Sequence, residues 1–415
     1  MNSGLPLIPE VVSQTLWKRE GERMSMHIGV DATCYQNKRG YGRHARALLG
    51  ALVRLDTDNC YTFFVDSAED SASIPPEAET RLVATSSPTV ISASSTGYRS
   101  LRDMWRMSRA MSSRGFDLLL FPTVYSYVPV FSRAKKMVMI HDVIAERYPE
   151  LTLPSRRARF FWKTKVALGR WQADAIVTVS EYSRQNIVKY FKLKPENVFV
   201  IGEASDPVFC VLDNPLPTPH LRSIGIPGAG RMVVHVGGFS PHKNLEALVA
   251  VFAKLTSRRT FSDVRLVMVG ETEKEVFHSY FGTIKKQVEK LGIADRTLFT
   301  GYLPDKDLVV LLNLSTVLVL PSFMEGFGLP AIEAAACGCP LVATTASPLP
   351  SLLGDGGLFI DPSQPEELEV ALTQVLESES LRSQMREAGL AAARQLTWES
   401  AAQQMIVLMQ KVVRR

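Results

Sequence analysis

Short apolar runs rich in Val, Ile, Leu and Phe alternate along the chain with segments whose apolar residues recur every three or four positions. Runs with no polar face mark strands covered on both sides, as in parallel sheets, and the 3.6-residue period marks amphipathic helices. In the first half the pattern predicts strands at His27–Thr33, Tyr61–Val65, Arg81–Ala84, Asp117–Phe121, Met137–His141, Ala175–Ser180 and Val198–Ile201. In the second half it predicts Met232–Val236, Arg265–Val269, Thr297–Thr300, Val317–Leu320, Leu341–Ala343 and Leu358–Ile360. Ala45, Leu48, Leu49 and Leu52, and later Leu245, Leu248, Val249 and Phe252, hold the spacing of helices with one buried stripe. The alternation breaks down over residues 203–230, where Pro207, Pro215, Pro217, Pro219 and Pro227 leave no clean period. The pattern therefore predicts two α/β units, residues 26–205 and 231–395, joined by a linker at 206–230. Two such sheets create a cleft, and open α/β sheets bind ligands at the carboxyl ends of their strands.

A length of 415 residues suits two domains, and 46% hydrophobic with 21% charged residues excludes a disordered or fibrous chain. The uncharged stretch Leu308–Met324 carries Asn313, Ser315, Thr316 and Pro321 and is shorter than the ~20 apolar residues that span a bilayer, so it reads as a buried helix followed by a buried strand. Residues 1–25 lack a long apolar core, so no signal peptide is expected. Met24 and Met26 stand just before the first strand as alternative starts, which would leave residues 1–23 a weakly ordered extension. Five scattered cysteines, Cys34, Cys60, Cys210, Cys337 and Cys339, form no Cys-x-x-Cys pair, which argues against a disulfide framework or zinc site and fits a reducing cytoplasm. The net charge of +5 is unevenly spread: the first 200 residues are net basic and the remainder net acidic. A basic half suits an anionic partner, and composition alone does not choose among nucleic acid, membrane phosphates and smaller anions.

Gly40-Tyr41-Gly42-Arg43-His44-Ala45, with Asp66 after the second strand, has the letters of a dinucleotide fingerprint. Residues 34–39, however, separate Gly40 from its strand, where that fingerprint needs a tight turn. The glycines are read instead as letting backbone amides approach an anion or sugar, with a plain flexible turn as the alternative. Two Asp-x-Asp strings, Asp56/Asp58 and Asp305/Asp307, have the form of a divalent-metal site. The first precedes a strand at the edge away from the cleft and the second opens a helix, where acids suit the dipole, so no metal site is expected. Cys337-Gly338-Cys339 reads as a small-residue helix end.

The segment Leu320–Ala334 carries the most chemistry: a buried strand ends, a Gly-rich turn follows, and Pro330 stands where the first helical position should be. Unpaired amides near Phe327, Gly328 and Leu329 would then face the cleft as donors to a phosphate or sugar hydroxyl. Glu325 and Glu333 flank the turn, and for Glu333 the alternative role is to complement the helix dipole.

From His27 to the C-terminus the chain resembles the retaining glycosyltransferases of family four, whose GT-B fold sets two Rossmann-like domains facing across a cleft. The resemblance implies that Glu325 contacts hydroxyls of the donor sugar and Glu333 the ribose of its nucleotide. Val236-Gly237-Gly238-Phe239-Ser240-Pro241-His242-Lys243-Asn244 matches the family's phosphate-binding turn, with Lys243 as its lysine. Gly238 stands where many members carry an arginine and His242 where others do, so leaving-group stabilisation would fall on Lys243 and the helix amides. His141-Asp142 resembles the family's His-Asp pair, whose histidine lies beside the donor sugar; a strand-end hydrogen bond is the alternative. Gly40 and Gly42 match the loop near the diphosphate, and Ser180-Glu181-Tyr182-Ser183 matches a family segment that also reads as a helix N-cap. Leu396-Thr397-Trp398-Glu399 and the helix after it, residues 396–415, resemble the element that crosses back to the first domain.

The resemblance implies transfer of a sugar from a nucleoside-diphosphate sugar to a glycan or lipid-linked acceptor in polysaccharide assembly. Likeness of the Pro-x-Lys-Asn turn to mannosyltransferases suggests GDP-mannose. Catalytic roles would fall to His141, Lys243 and Glu325, and donor contacts to Gly40, Gly42, Gly238, Lys243, Glu325, Gly326, Phe327, Gly328, Leu329 and Glu333. No metal, cofactor or nucleic acid is expected. A nucleotide-sugar epimerase of the same fold and a catalytically silent sugar-nucleotide-binding subunit are the other readings. Over Arg156–Trp171, Phe160, Phe161, Ala167, Leu168 and Trp171 share one helical arc beside Arg156, Arg159, Lys163 and Arg170. That helix either packs its aromatics on the sheet or lies against anionic lipid, which would place a cytoplasmic enzyme at the inner face of the cell membrane.

Overall fold

The computed structural model describes residues 25–35, 37, 40–86, 89, 100–153, 155–272 and 279–415, so the expected extension at 1–23 lies outside the described residues. The strands fall where the apolar runs predict them: β1 His27–Asp31, β2 Cys60–Val65, β3 Glu79–Leu82, β4 Leu118–Phe121, β5 Lys135–Met139, β6 Ala175–Thr178 and β7 Val198–Val200 in the first half. The second half supplies β8 Met232–Val236, β9 Arg265–Val269, β10 Thr297–Gly301, β11 Val317–Leu320, β12 Leu341–Thr344 and β13 Gly357–Ile360. They form a seven-stranded sheet in the order β3-β2-β1-β4-β5-β6-β7 and a six-stranded sheet in the order β10-β9-β8-β11-β12-β13. Every pairing is parallel.

Uniformly apolar strands are what such sheets require, because both faces are covered. In β11, Leu318 and Leu320 join one core while Val317 and Val319 join the core on the opposite face. β4 divides likewise, with Leu118 and Leu120 on one side and Leu119 and Phe121 on the other. Strand order reverses between β1 and β4 and again between β8 and β11, so each sheet opens a crevice at the carboxyl ends of those strands.

The helix Gly40–Leu55 buries Ala45, Leu48, Leu49 and Leu52, the predicted stripe. The helix Trp398–Val413 packs against it and buries Trp398, Ala402, Met405 and Met409. Together with Ala204, Phe209, Leu221 and Ile226 of the Pro-rich segment they form one apolar cluster that runs from the first sheet to the second. Thr397 caps the last helix, its hydroxyl accepting from the Ser400 amide at 3.1 Å.

Three expectations need correction. Gly40 and Gly42 do not lie in a loop before the first helix but in its first turn. Pro330 takes the second rather than the first position of the helix Leu329–Ala336, because the turn closes one residue earlier, at Gly328. The aromatics of the helix Arg156–Gln172 do not pack on the sheet: Phe160 is 66%, Phe161 52% and Trp171 79% exposed. The sheet side of that helix is supplied instead by Trp162, Val166 and Gly169. Gly169 is buried on that side, where a Cβ would make ordinary contacts at 3.6 Å from Val124 and 3.7 Å from Tyr127.

Candidate active site

β8 delivers its chain into the turn that ends in Pro241–Lys243. Asn244 follows in the left-handed conformation, φ 55°, and its side-chain amide donates to the carbonyls of Pro321 at 3.1 Å and Pro362 at 2.9 Å. The turn is thereby tied to the end of β11, and the Lys243 ammonium meets Glu325 there, with Nζ 2.8 Å from Oε1. The Ser322 hydroxyl donates to the same oxygen at 2.6 Å. Burial opposes ionisation of Glu325, but Lys243 and these hydrogen bonds outweigh it and hold the carboxyl below its usual range. Beside them burial pushes His235 down to about 4 and His242 to about 3, so both rings are neutral at pH 7. Gly238 lies half-buried in the same turn.

The loop after β11 reverses at Gly328, whose φ of 88° suits glycine and whose Cβ would stand 3.0 Å from the Leu349 side chain. The Glu325 amide donates to Ala346 O at 3.0 Å, whereas the amides of Phe327, Gly328 and Leu329 donate to no backbone carbonyl among the described residues. A helix start with free amides beside an ammonium is an anion site. One turn further in, Glu333 is buried, and its Oε1 lies 2.7 Å from Arg43 Nη2 of the first domain. Arg43 also reaches Asp305 at 3.3 Å. Burial pushes Glu333 up to about 8 against the pull of Arg43.

From the first domain, the end of β5 leads to His141 and Asp142. His141 Nε2 donates to Pro122 O at 2.9 Å, and its ring meets His44, with centroids 4.8 Å apart, and Glu203, at 3.9 Å from Nδ1. Burial and His44 hold His141 down to about 4. Asp142 accepts from the Ile144 amide at 2.8 Å, and burial, reinforced by Glu325, pushes it up to about 6. At Gly326 the two domains come into direct contact. The hydroxyls of Ser180 and Ser183 donate to its carbonyl at 2.7 and 3.0 Å, and a Cβ there would stand 3.0 Å from Asp142 Cβ and 3.2 Å from His141 O. Ser180 is also the N-cap of the helix Glu181–Phe191, accepting from the Ser183 amide, so the two readings of that segment hold together.

The structure thus brings Lys243, Glu325 and the Gly326–Leu329 turn into one crevice, with Glu333 deeper along the helix and His141-Asp142 facing the turn across the cleft. A Cβ at Gly40 would meet nothing within 4 Å, so no close approach explains that glycine; at Gly42 it would stand 2.0 Å from Asn37 O, which ties Gly42 to its own loop. Sequence reasoning missed Arg43, Ser183, Ser322 and Glu203 as site residues. Arg43 alone carried a signal, as the one charge inside the G-x-G-x-x-A string.

The competing motifs have other employment. Asp66 accepts from the Thr89 amide at 2.7 Å. Asp56 accepts from Asn59 and Tyr61, and Asp307 from Thr218 and His220. Among the described residues no cluster of three or more His, Cys, Asp or Glu could hold a metal ion. All five cysteines are free, and Cys337 ends its helix as predicted.

Two family models match the chain, one described as Glycosyltransferase Family 4 over residues 38–207 and one as Glycosyl transferases group 1 over residues 219–391. O-antigen chain mannosyltransferase B of Escherichia coli is 28% identical over 273 residues, 66% of this chain and 69% of that protein. The serotype-specific mannosyltransferase WbdA of Escherichia coli is 24% identical over 404 residues, 91% of this chain but 47% of its own length, so the chain spans about half of that relative. Among solved structures, sucrose-phosphate synthase from Thermosynechococcus elongatus superposes with a TM-score of 0.71 at 18% identity, covering 93% of this chain and 99% of that one. Anabaena HepE in complex with UDP and glucose gives 0.68 at 17% identity, covering 93% and 100%. With two parallel sheets in the GT-B arrangement and family matches across both halves, the chain belongs to glycosyltransferase family 4.

Proposed function

We propose that the protein is a retaining, metal-independent glycosyltransferase that moves a sugar from a nucleoside diphosphate to a glycan or lipid-linked acceptor in polysaccharide or glycoconjugate assembly. The observation that carries this reading is the Lys243–Glu325 pair, 2.8 Å apart beside a helix start with free amides. Breaking the glycosidic bond leaves negative charge on the diphosphate, and a fixed ammonium with aligned amides stabilises that charge. Glu325, held ionised, can accept from sugar hydroxyls, and Glu333 from those of the ribose. His141 is assigned to the sugar side of the cleft, where positioning supplies much of the rate. The mannosyltransferase relatives make GDP-mannose the first donor to test. A thermal-shift panel of nucleotide sugars should single it out, since a ligand at a hundred times its Kd adds about 2.7 kcal/mol of stability. Product analysis with donor alone then separates transfer from epimerisation, and binding without turnover across an acceptor panel would leave a silent subunit.

Of the Asp-x-Asp carboxylates, Asp56 is committed to Asn59 and Tyr61, Asp307 to Thr218 and His220, and Asp305 to Arg43, which supports metal independence. Activity is expected to survive exhaustive chelation. Loss restored by Mn²⁺ or Mg²⁺ would overturn that part of the reading.

A membrane-facing role belongs to the same proposal. No helix among the described residues is long and apolar enough to cross a bilayer. Phe160, Phe161 and Trp171 point outward, and Trp171 shares with Phe131, 82% exposed, an open depression of about 450 Å³ that Arg133 and Lys136 also line. Of the basic residues beside the aromatic arc, Arg159 is held by Leu153 O and Glu150, and Arg170 lies over the Phe191 ring, leaving Arg156 and Lys163 outward. Each cation near an anionic surface contributes about 1 kcal/mol. Replacing Phe160 and Trp171 by Ala with Arg156 and Lys163 by Glu is expected to abolish sedimentation with phosphatidylserine vesicles while leaving the donor-induced thermal shift intact. Undiminished vesicle binding by this variant, or no salt-sensitive binding by the parent, would refute it.

A further inference from the structure

Glu333 is 1% exposed, and neither of its carboxylate oxygens has a hydrogen-bond partner among the described residues; the Arg43 guanidinium stands beside Oε1 as an ion pair, 2.7 Å away. The cation is not local. Arg43 belongs to the first turn of the helix Gly40–Leu55, in the opposite domain. Gly42 beside it presses on the Asn37 carbonyl, and the guanidinium lies over the Phe209 ring with its carbon 5.4 Å from the centroid. The pair borders a cavity of about 270 Å³ that Arg46, Asp206, Asp305 and Leu329 also line.

Four charges face Glu333 from three elements: Arg43 from the first helix, Asp305 from the helix Asp305–Leu314, and Asp206 and Glu203 from the segment after β7. Three of the four are acids, and burial adds to their effect by favouring the proton-bound form. Arg43 alone works the other way. A protonated carboxyl presents a donor where a ribose diol needs acceptors, whereas a carboxylate held by an ion pair, with neither oxygen in a hydrogen bond, keeps its lone pairs available. We infer that Arg43 is a positioning residue for nucleotide recognition, the counter-charge through which the first domain holds the Glu333 carboxylate in place to accept from the ribose. The inference rests on the assignment of Glu333 to the ribose. It makes nucleotide affinity depend on the two domains being together, because the residue that reads the ribose and the residue that orients it lie on opposite sides of the cleft.

Isothermal titration of the full-length protein with GDP, and in parallel UDP, between about pH 6.5 and 9 tests this, since affinity must follow the ionisation of Glu333. The parent is expected to bind more tightly as pH rises. Arg43→Ala should bind about tenfold more weakly near neutrality, the effect of about one pK unit, and should recover only at more alkaline pH. Arg43→Lys, which retains a cation, should restore most of the neutral-pH affinity. In a Glu333→Gln background Arg43→Ala should cost nothing further. Thermal unfolding of each variant, expected within a few degrees of the parent, keeps misfolding apart from lost recognition. Tighter binding by Arg43→Ala would overturn the inference by showing that the arginine competes with the ribose. Weaker binding with an unshifted pH profile would overturn it too. If Glu333→Gln leaves affinity unchanged, the ribose assignment itself fails; if Glu333→Gln weakens binding and Arg43→Ala does not, only the role of the arginine fails.

Discussion

Lys243→Ala is expected to lower kcat/KM at least a hundredfold, about 3 kcal/mol of transition-state stabilisation, the scale found when one preorganised donor to a developing anion is removed. The size follows from what surrounds Lys243. Gly238 brings no charge to the turn, and burial keeps His235 and His242 neutral at pH 7, so neither ring can replace the ammonium. The substitution has a second effect. Glu325 is held ionised in a buried site chiefly by Lys243, and without it the carboxyl moves upward and presents a proton to the sugar hydroxyls it should accept from. Lys243→Arg keeps the charge but not the compact geometry and should fall between the two. Steady-state kinetics with the donor found in the thermal-shift panel measures the effect, and an unchanged kcat/KM for Lys243→Ala would remove the residue from the site.

Gly326→Val should depress kcat about a hundredfold and weaken nucleotide affinity by no more than about tenfold, the share Arg43 contributes from across the cleft. Even the first carbon of the new side chain would stand 3.0 Å from Asp142 Cβ and 3.1 Å from its Oδ2, and two further methyl groups cannot be placed without parting the domains. Parting them by an ångström also strains the hydrogen bonds from Ser180 and Ser183 to the Gly326 carbonyl. Misplacement of that order at the reacting centre costs about two orders of magnitude in rate. Glu333 and the start of its helix lie on the second domain, so binding of the nucleoside diphosphate should lose only what the contact with Arg43 adds. Equal losses in kcat and affinity would show that Gly326 serves the second domain's own fold instead.

The reach of sequence reasoning differs between the sheets and the site. The strands were legible because a parallel strand announces itself as a short run such as Val317–Leu320, in which every residue is buried whichever way it points. The Gly-rich turn before Leu329 was legible because it sits at the end of such a strand; Lys243 and Glu325 were singled out by resemblance to a family, and their contact by no local pattern. The orientation of the helix Arg156–Gln172 was not legible, since periodicity shows that an arc exists but not that the opposite arc, with Trp162, Val166 and Gly169, is the one that meets the sheet. Nor was the union of Arg43 with Glu333, or of Ser183 with Gly326, which lie 143 residues apart. Such contacts are set by how two finished domains meet, and no local pattern encodes them.

The helix Trp398–Val413 covers the side of helix Gly40–Leu55 that turns away from its own sheet. On the ribosome that cover arrives late: at about 5–20 residues per second, tens of seconds separate the emergence of the two helices. Throughout that interval the nascent first domain has no partner for the apolar surface that later receives Met405 and Met409. A holdase chaperone would find its binding site there, and a chain cut short before Trp398 would keep that site permanently.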